Sequence, residues 1–99
     1  MRAGHRIEYA PRYFRRLEDI FDRIAADNPA AALRIIERIR VVVSRLAVRP
    51  AIGRPGRVQG TRELVVSGTP YIVPYRILDG RVQIITVLHS SQQWPRELP

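Results

Sequence analysis

The C-terminal third of the chain contains three short apolar segments separated by turn residues. Residues 64–66, 71–78 and 81–89 are rich in Val, Ile, Leu and Tyr, which favour strands. Asp79 and Gly80 form a typical two-residue hairpin turn between the last two segments. The last segment is apolar on both faces, so we expect it to lie inside the sheet. The pattern predicts an antiparallel meander.

The N-terminal half changes its hydrophobic period. Residues 5–9 alternate and predict a first strand, whereas residues 11–27 and 29–48 repeat apolar residues every three or four positions and predict two amphipathic helices. Asn28 is placed to cap the second helix, and Pro50 ends it. The predicted core stripe of the first helix is Phe14, Leu17, Phe21 and Ile24, with Tyr13 and Ile20 beside it. That of the second helix is Ala32, Ile36, Ile39, Val43 and Leu46.

The order β-α-α-β-β-β predicts one α+β domain over residues 1–99. Its antiparallel sheet is expected to be covered on one face by an N-terminal helical hairpin. Residues 51–60 contain Gly and Pro and predict a loop. Pro74 falls inside a predicted strand, where its missing N–H predicts a bulge or a local break.

Positive charge is concentrated in the middle of the chain. The protein has 17 basic residues, all Arg, against nine acidic ones, a formal charge of +8. No acidic residue lies between Arg38 and Arg62. Such a surface suits nucleic acid, an acidic protein segment or an anionic membrane. Helical spacing places four of these cations on one face of the second helix: Arg34, Arg38, Arg45 and Arg49.

Composition excludes several classes of function. The chain has no Cys, so it has neither a disulfide framework nor thiolate chemistry, which fits a reducing cytoplasm. No apolar segment is long enough to span a bilayer, and the N-terminal charges are not followed by a signal-peptide core. His5 has no second ligand at a metal-binding spacing, so we expect no metal, no cofactor and no membrane partner.

Four motifs follow one another in the last forty residues: Gly60-Thr61-Arg62-Glu63-Leu64, Tyr71-x-x-x-Tyr75-Arg76, Val87-Leu88-His89 and Trp94-Pro95. Together they resemble the RelE/ParE superfamily of toxins from type II toxin–antitoxin modules. The resemblance implies a small acidic antitoxin as partner. It also implies either gyrase poisoning without known nuclease action, as in the ParE branch, or mRNA cleavage in the ribosomal A site, as in the RelE branch. The first and third motifs are closer to the ParE branch.

The residues available for RNA cleavage are few. Attack by a 2′-hydroxyl needs a base, an acid and cations at the phosphate. RelE-like nucleases draw these groups from Lys, Arg, Glu, His and a C-terminal Tyr, but this chain has no Lys and no Tyr after Tyr75. We therefore expect a binder of DNA gyrase or its DNA complex rather than an enzyme. The candidates for a nuclease site are His89, Arg62, Arg76 and Glu63.

Each candidate residue also has a purely structural interpretation. His89 can be a hydrogen-bonded residue that closes the sheet, and Arg62 or Arg76 can form an internal ion pair with a nearby carboxylate. Trp94 can pack the C-terminal tail or anchor an interface. A basic nucleic-acid-binding module is a further hypothesis for the whole chain. The predicted partner-binding residues are Arg34, Arg38, Arg45, Arg49, Arg54, Arg57, Arg62 and Trp94.

Overall fold

The computed structural model describes residues 4–91 and confirms the predicted α+β fold. Its elements are strand β1 (Arg6–Tyr9), helices α1 (Pro11–Ala25) and α2 (Pro29–Ser44), and strands β2 (Arg54–Pro55), β3 (Arg62–Val65), β4 (Tyr71–Leu78), β5 (Arg81–Ile84) and β6 (Leu88–His89). The sheet order is β1-β5-β4-β3-β2, with β6 also paired to β4. Strand β5 lies between β1 and β4, so the last long strand is interior, as predicted.

The sheet is mixed, because β1 runs parallel to β5 while the other pairs are antiparallel. A parallel pair needs a long crossover connection. Both helices and three strands separate β1 from β5 along the chain, so this requirement is met. The prediction of a wholly antiparallel sheet is therefore corrected at this one pair.

The helix boundaries follow local chemistry. The Asn28 side chain accepts a hydrogen bond from the Ala31 backbone N–H at 3.0 Å, which confirms the predicted cap. Helix α1 ends at Ala25, two residues earlier than predicted. Helix α2 ends at Ser44, and the remaining predicted turn is a 3-10 helix over Arg45–Ala47. The two helices pack against each other and, through Ile20, against the sheet.

In α1, Leu17 and Ile24 of the predicted stripe pack against the core, but the fully buried positions are the two residues predicted beside the stripe. Tyr13 and Ile20 are buried, whereas Phe14 is 52 % exposed. Tyr13 and Phe14 are adjacent and lie about 100° apart on the helix, so both cannot face the sheet. The Phe14 ring instead lies 5.4 Å from both the Tyr9 and Tyr13 rings on the outer side. The predicted stripe of the second helix is confirmed, with Ala32, Ile39 and Val43 buried in α2 and Ile36 packed beside them. Leu46, the last residue of the stripe, is buried in the 3-10 turn that follows.

The bulge predicted at Pro74 lies instead in the neighbouring segment of the chain, between Ile84 and Leu88. Strand β4 is unbroken, and Pro74 pairs with Glu63 in β3. On the other side of β4, residues 85–87 face only Val73 and Pro74, so the last strand carries one extra residue. The Ile85 N–H donates to the Pro74 carbonyl at 2.9 Å. The predicted strand 81–89 is therefore divided into β5 and β6.

Candidate functional site

Residues 51–60 are more ordered than the predicted loop. Strand β2 pairs with β3 and forms a short hairpin at the edge of the sheet. The Gly56 N–H donates to the Thr61 carbonyl at 2.8 Å, and a Cβ at Gly56 would overlap Thr61. The edge of the sheet is therefore closed by a compact turn that carries Arg57, with Arg54 in the adjacent strand.

A buried carboxylate holds both of these arginines. Glu63 is 2 % exposed, and its Oε1 accepts hydrogen bonds from Nε and Nη2 of Arg54 at 3.1 and 2.9 Å. Its Oε2 lies 3.2 Å from the backbone N–H and 3.2 Å from Nε of Arg57. The two arginine side chains stay 55 % and 39 % exposed. One anion thus holds two cations at the surface, and the formal charges of these three side chains sum to +1. We call Arg54, Arg57 and Glu63 the arginine clamp.

Tyr75 and Arg62 hold the segment that leads into the clamp. The fully buried Tyr75 hydroxyl donates to the Pro50 carbonyl at 2.6 Å and accepts from the Gly53 N–H at 2.9 Å. Burial raises the pKa of Tyr75, although the Gly53 hydrogen bond and the nearby Arg62 charge act to lower it. Arg62 Nη1 donates hydrogen bonds to the carbonyls of Gly53 and Ala51 at 2.6 and 3.3 Å. Arg62 is thus bound to backbone carbonyls rather than to a carboxylate.

The four nuclease candidates are divided between the two faces of the sheet. Side chains alternate along β4, so Tyr71 and Tyr75 face the helices while Arg76 faces away. His89 lies opposite Tyr71, and therefore on the helix side. Glu63 lies opposite Pro74, on the same side as Arg76.

Distance also separates the two candidates on the helix side. Arg62 is opposite Tyr75 and His89 is opposite Tyr71, so four positions of β4, roughly 13 Å, lie between them. The structure therefore brings Glu63 to Arg54 and Arg57. It does not gather Arg62, Glu63, Arg76 and His89 around one point.

His89 belongs to a different group of side chains. Its ring packs edge-on against Tyr71 with 5.7 Å between centroids, and its Nδ1 lies 3.2 Å from the Ser91 N–H and 2.8 Å from the Ser91 Oγ. Arg23 Nη2 donates a hydrogen bond to the Tyr71 hydroxyl at 3.4 Å. Tyr71 belongs to one of the motifs found in the sequence, but Arg23 was not singled out, because its contact with Tyr71 depends on how α1 crosses the end of the sheet.

The four arginines predicted to form one face of the second helix are all exposed, but only two of them lie in α2. Arg34 and Arg38 lie in the helix, and Arg38 Nε donates to the Ser67 carbonyl at 3.2 Å. Arg45 opens the 3-10 turn and Arg49 follows it. Trp94 lies outside the described residues.

An apolar groove, not predicted from the sequence, runs along the helical hairpin. Its volume is about 700 Å³. Phe14, Tyr9 and Val41 line it while remaining at least 40 % exposed. Burial raises the pKa of Tyr13, also in the lining, to about 12, helped by Tyr9 and opposed by Arg40. In the sequence, the closely spaced aromatic residues Tyr9, Tyr13 and Phe14 were the feature that could have indicated this groove. The remaining lining residues are Leu17, Ile36, Glu37, Arg40 and Ser44.

The described part of the chain offers no arrangement for metal binding or membrane crossing. Within residues 4–91, no group of three or more His, Asp or Glu side chains is placed to hold a metal ion. Over the same residues, neither helix has the length and apolar character that a bilayer crossing requires.

Comparison with known proteins agrees with this architecture. Residues 7–94 match the family described as ParE toxin of type II toxin-antitoxin system, parDE. Y4kP of Sinorhizobium fredii, named as a candidate toxin, is 50 % identical over 93 residues, covering 94 % of this chain and 96 % of that protein. Toxin RelE2 of Caulobacter vibrioides is 36 % identical over 76 residues, covering 77 % of this chain and 84 % of the relative.

A solved structure shows the same fold. A chain of the chromosomal ParDE TA system from P. aeruginosa superposes with a TM-score of 0.78 at 24 % identity, covering 85 % of this chain and 94 % of the other. With the family match over nearly the whole sequence, it follows that the chain belongs to the ParE toxin family of type II toxin–antitoxin systems.

Proposed function

We propose that this ParE-family toxin acts in the cytoplasm by binding DNA gyrase or its DNA complex, and that a small acidic antitoxin neutralises it. The observation that carries the proposal is the arginine clamp, in which a buried carboxylate holds two exposed guanidinium groups on a rigid hairpin. The nuclease candidates, in contrast, lie on opposite faces of the sheet. This arrangement favours binding over catalysis.

The clamp is part of a larger basic face. Strand alternation and pairing place four arginines and two glutamates on the side of the sheet away from the helices, and Arg57 joins them through its contact with Glu63. The excess of guanidinium groups suits a surface that carries phosphates or carboxylates. The residues are Arg6, Arg54, Arg57, Arg76 and Arg81, with Glu8 and Glu63.

The target is tested with purified gyrase. Folded, antitoxin-free protein is added to a supercoiling reaction, and both supercoiled product and trapped cleavage complexes are measured. We expect less supercoiling and more cleavage complex. A folded preparation that leaves both quantities unchanged would rule out gyrase as the target.

The antitoxin is expected on the helical side of the molecule. The apolar groove, with Phe14 52 % exposed, can receive apolar side chains of a partner segment. Arg40 lines the groove, and Arg34 and Arg38 lie on the same helix. Acidic residues flanking the apolar anchors would meet these cations, so an acidic amphipathic segment is complementary to the surface.

This arrangement is tested with the acidic product of the adjacent reading frame, if that frame encodes one. Growth arrest on expression, relieved by the neighbour, would establish the pair. Phe14→Ala should weaken the complex by about tenfold or more, as expected for an aromatic anchor. Val48→Ala, also at an exposed apolar residue but away from the groove, is the matched control. Equal affinities of the two variants would place the antitoxin elsewhere.

A RelE-like ribosome-dependent endoribonuclease is the second candidate, favoured by the name of the Caulobacter relative. It predicts A-site cleavage of mRNA on programmed ribosomes. His89→Ala, Arg62→Ala and Arg76→Ala should each reduce that cleavage. Cleavage that persists in the triple variant would reject this residue assignment, and absence of cleavage by folded wild type would reject the activity.

A further inference from the structure

An open pocket lies between helix α2 and the turn that joins β3 to β4. Its volume is about 580 Å³, and none of its lining residues carries a carboxylate. Arg34 and Arg38 line it from α2, and both residues are exposed. The pocket therefore presents two positive charges to a ligand. The other lining residues are Ile35, Ser67, Gly68 and Thr69.

The two arginines are close together and have no ionic partner in the described part of the chain. They are four positions apart on α2, so their Cβ atoms lie about 5–6 Å from each other, where like charges repel. Glu37 lines the neighbouring groove with them, but within residues 4–91 it forms an ion pair with neither. An anion bound between the two guanidinium groups would relieve the repulsion.

The turn orients one guanidinium group and adds neutral donors. Arg38 Nε donates to the Ser67 carbonyl at 3.2 Å, so its two Nη groups are left for a ligand. The turn itself is held in place, because the Thr69 N–H and hydroxyl both donate to the Val66 carbonyl, at 3.1 and 2.8 Å. Ser67 and Gly68 are exposed, and across residues 4–91 their backbone N–H groups and the Ser67 hydroxyl have no acceptor.

We propose that this pocket binds a phosphate group, either as the free ion or as part of a nucleotide. A phosphate monoester carries a charge of about −1.5 to −2 at pH 7, which matches two guanidinium groups better than a carboxylate does. Guanidinium forks bind phosphate oxygens in pairs, and the Ser67 hydroxyl and the turn N–H groups can serve the remaining oxygens. The volume exceeds that of a phosphate ion, so a nucleoside can be accommodated beside Ile35.

This site is distinct from the arginine clamp, because α2 packs on the opposite side of the sheet from Glu63. Phosphate binding here requires neither gyrase nor antitoxin. Arg34 and Arg38 also belong to the surface proposed for the antitoxin, so a bound phosphate and the antitoxin would compete for these two side chains.

The test is a titration of ¹⁵N-labelled full-length protein at constant ionic strength, followed through the Ser67 and Gly68 amide signals. Inorganic phosphate should shift both signals saturably, and acetate should bind at least about tenfold more weakly. Arg34→Gln and Arg38→Gln should each weaken phosphate binding by about tenfold, the loss of one charge-assisted contact. Arg40→Gln, the same charge change at an exposed residue of α2 outside the pocket, should leave binding within about twofold of wild type.

Further arms test the geometry and separate the two sources of the phosphate. Arg38→Lys keeps the charge but loses the fork that Ser67 orients, so it should also weaken phosphate binding. A nucleoside monophosphate that binds more tightly than inorganic phosphate would identify a nucleotide site, and equal affinities would identify a site for the free ion. Three results would each overturn the proposal: shifts that do not saturate, equal binding of acetate, or identical curves for the Arg34, Arg38 and Arg40 variants.

Discussion

Replacement of Glu63 by Gln tests whether the buried carboxylate organises the edge of the sheet. The amide oxygen can still accept from Arg54, but the NH2 group then faces the backbone N–H and the Nε of Arg57, both donors. Two hydrogen bonds are lost and a backbone donor loses its acceptor. Because the arginines are half exposed, we place the cost at about 2 kcal/mol, below that of breaking a fully buried pair.

This loss should lower the melting temperature by roughly 8–16 °C in a domain of this size. Urea denaturation and calorimetry measure it. Glu18→Gln, the same chemical change at an exposed position of α1, is the control and should shift stability by less than about 0.5 kcal/mol. A double-mutant cycle of Glu63→Gln with Arg57→Gln should give a coupling of about 1 kcal/mol or more. The reasoning fails if Glu63→Gln behaves like the control, or if the coupling is zero.

Three further results are expected. Tyr75→Phe removes the hydroxyl that bridges Pro50 and Gly53 and should cost about 1–3 kcal/mol in urea denaturation; no loss would mean that the bridge is unimportant. Burial raises the pKa of the Tyr13 phenol to about 12, from an unperturbed value of 10.0. The stabilisation that depends on the neutral phenol should therefore be fully present below about pH 10, and the free energy of unfolding should fall by up to about 3 kcal/mol as the pH rises to about 12. Tyr13→Phe should flatten this decline, and an unchanged slope would contradict the assignment. Phe14→Ala should cost less than about 1 kcal/mol, because the ring is exposed, whereas a buried Phe costs about 3–5.

Features set by local chemistry were predictable from the sequence. The Asn28 cap depends only on a side chain reaching the first turn of its own helix. Strand β4 was predicted with both ends correct, because turn residues bound it on each side. Gly80 has φ 71°, as the predicted two-residue turn requires. One of the motifs that carried the resemblance to the toxin superfamily, Tyr71-x-x-x-Tyr75-Arg76, lies within β4.

Features set by tertiary packing were not predictable. Tyr13 and Phe14 are both aromatic and adjacent, so periodicity alone could not decide which one the sheet would bury. Residues 54–55 are a strand only because β3 lies beside them, and a two-residue strand has no periodicity to detect. The burial of Glu63 depends on that pairing, which brings Arg54 next to it. The arginine clamp was therefore invisible in the sequence, although its members were all candidates.

The most direct test of the account compares Arg54→Gln with Arg15→Gln in the gyrase reaction. Both variants lose one positive charge, but only Arg54 belongs to the clamp. After folding has been verified, the concentration of toxin that gives half-maximal cleavage complex is measured. We predict that Arg54→Gln raises it by about tenfold, the loss of one charge-assisted contact, and that Arg15→Gln leaves it within about twofold of wild type. Equal potency of the two variants would contradict the claim that the clamp is the target-binding surface.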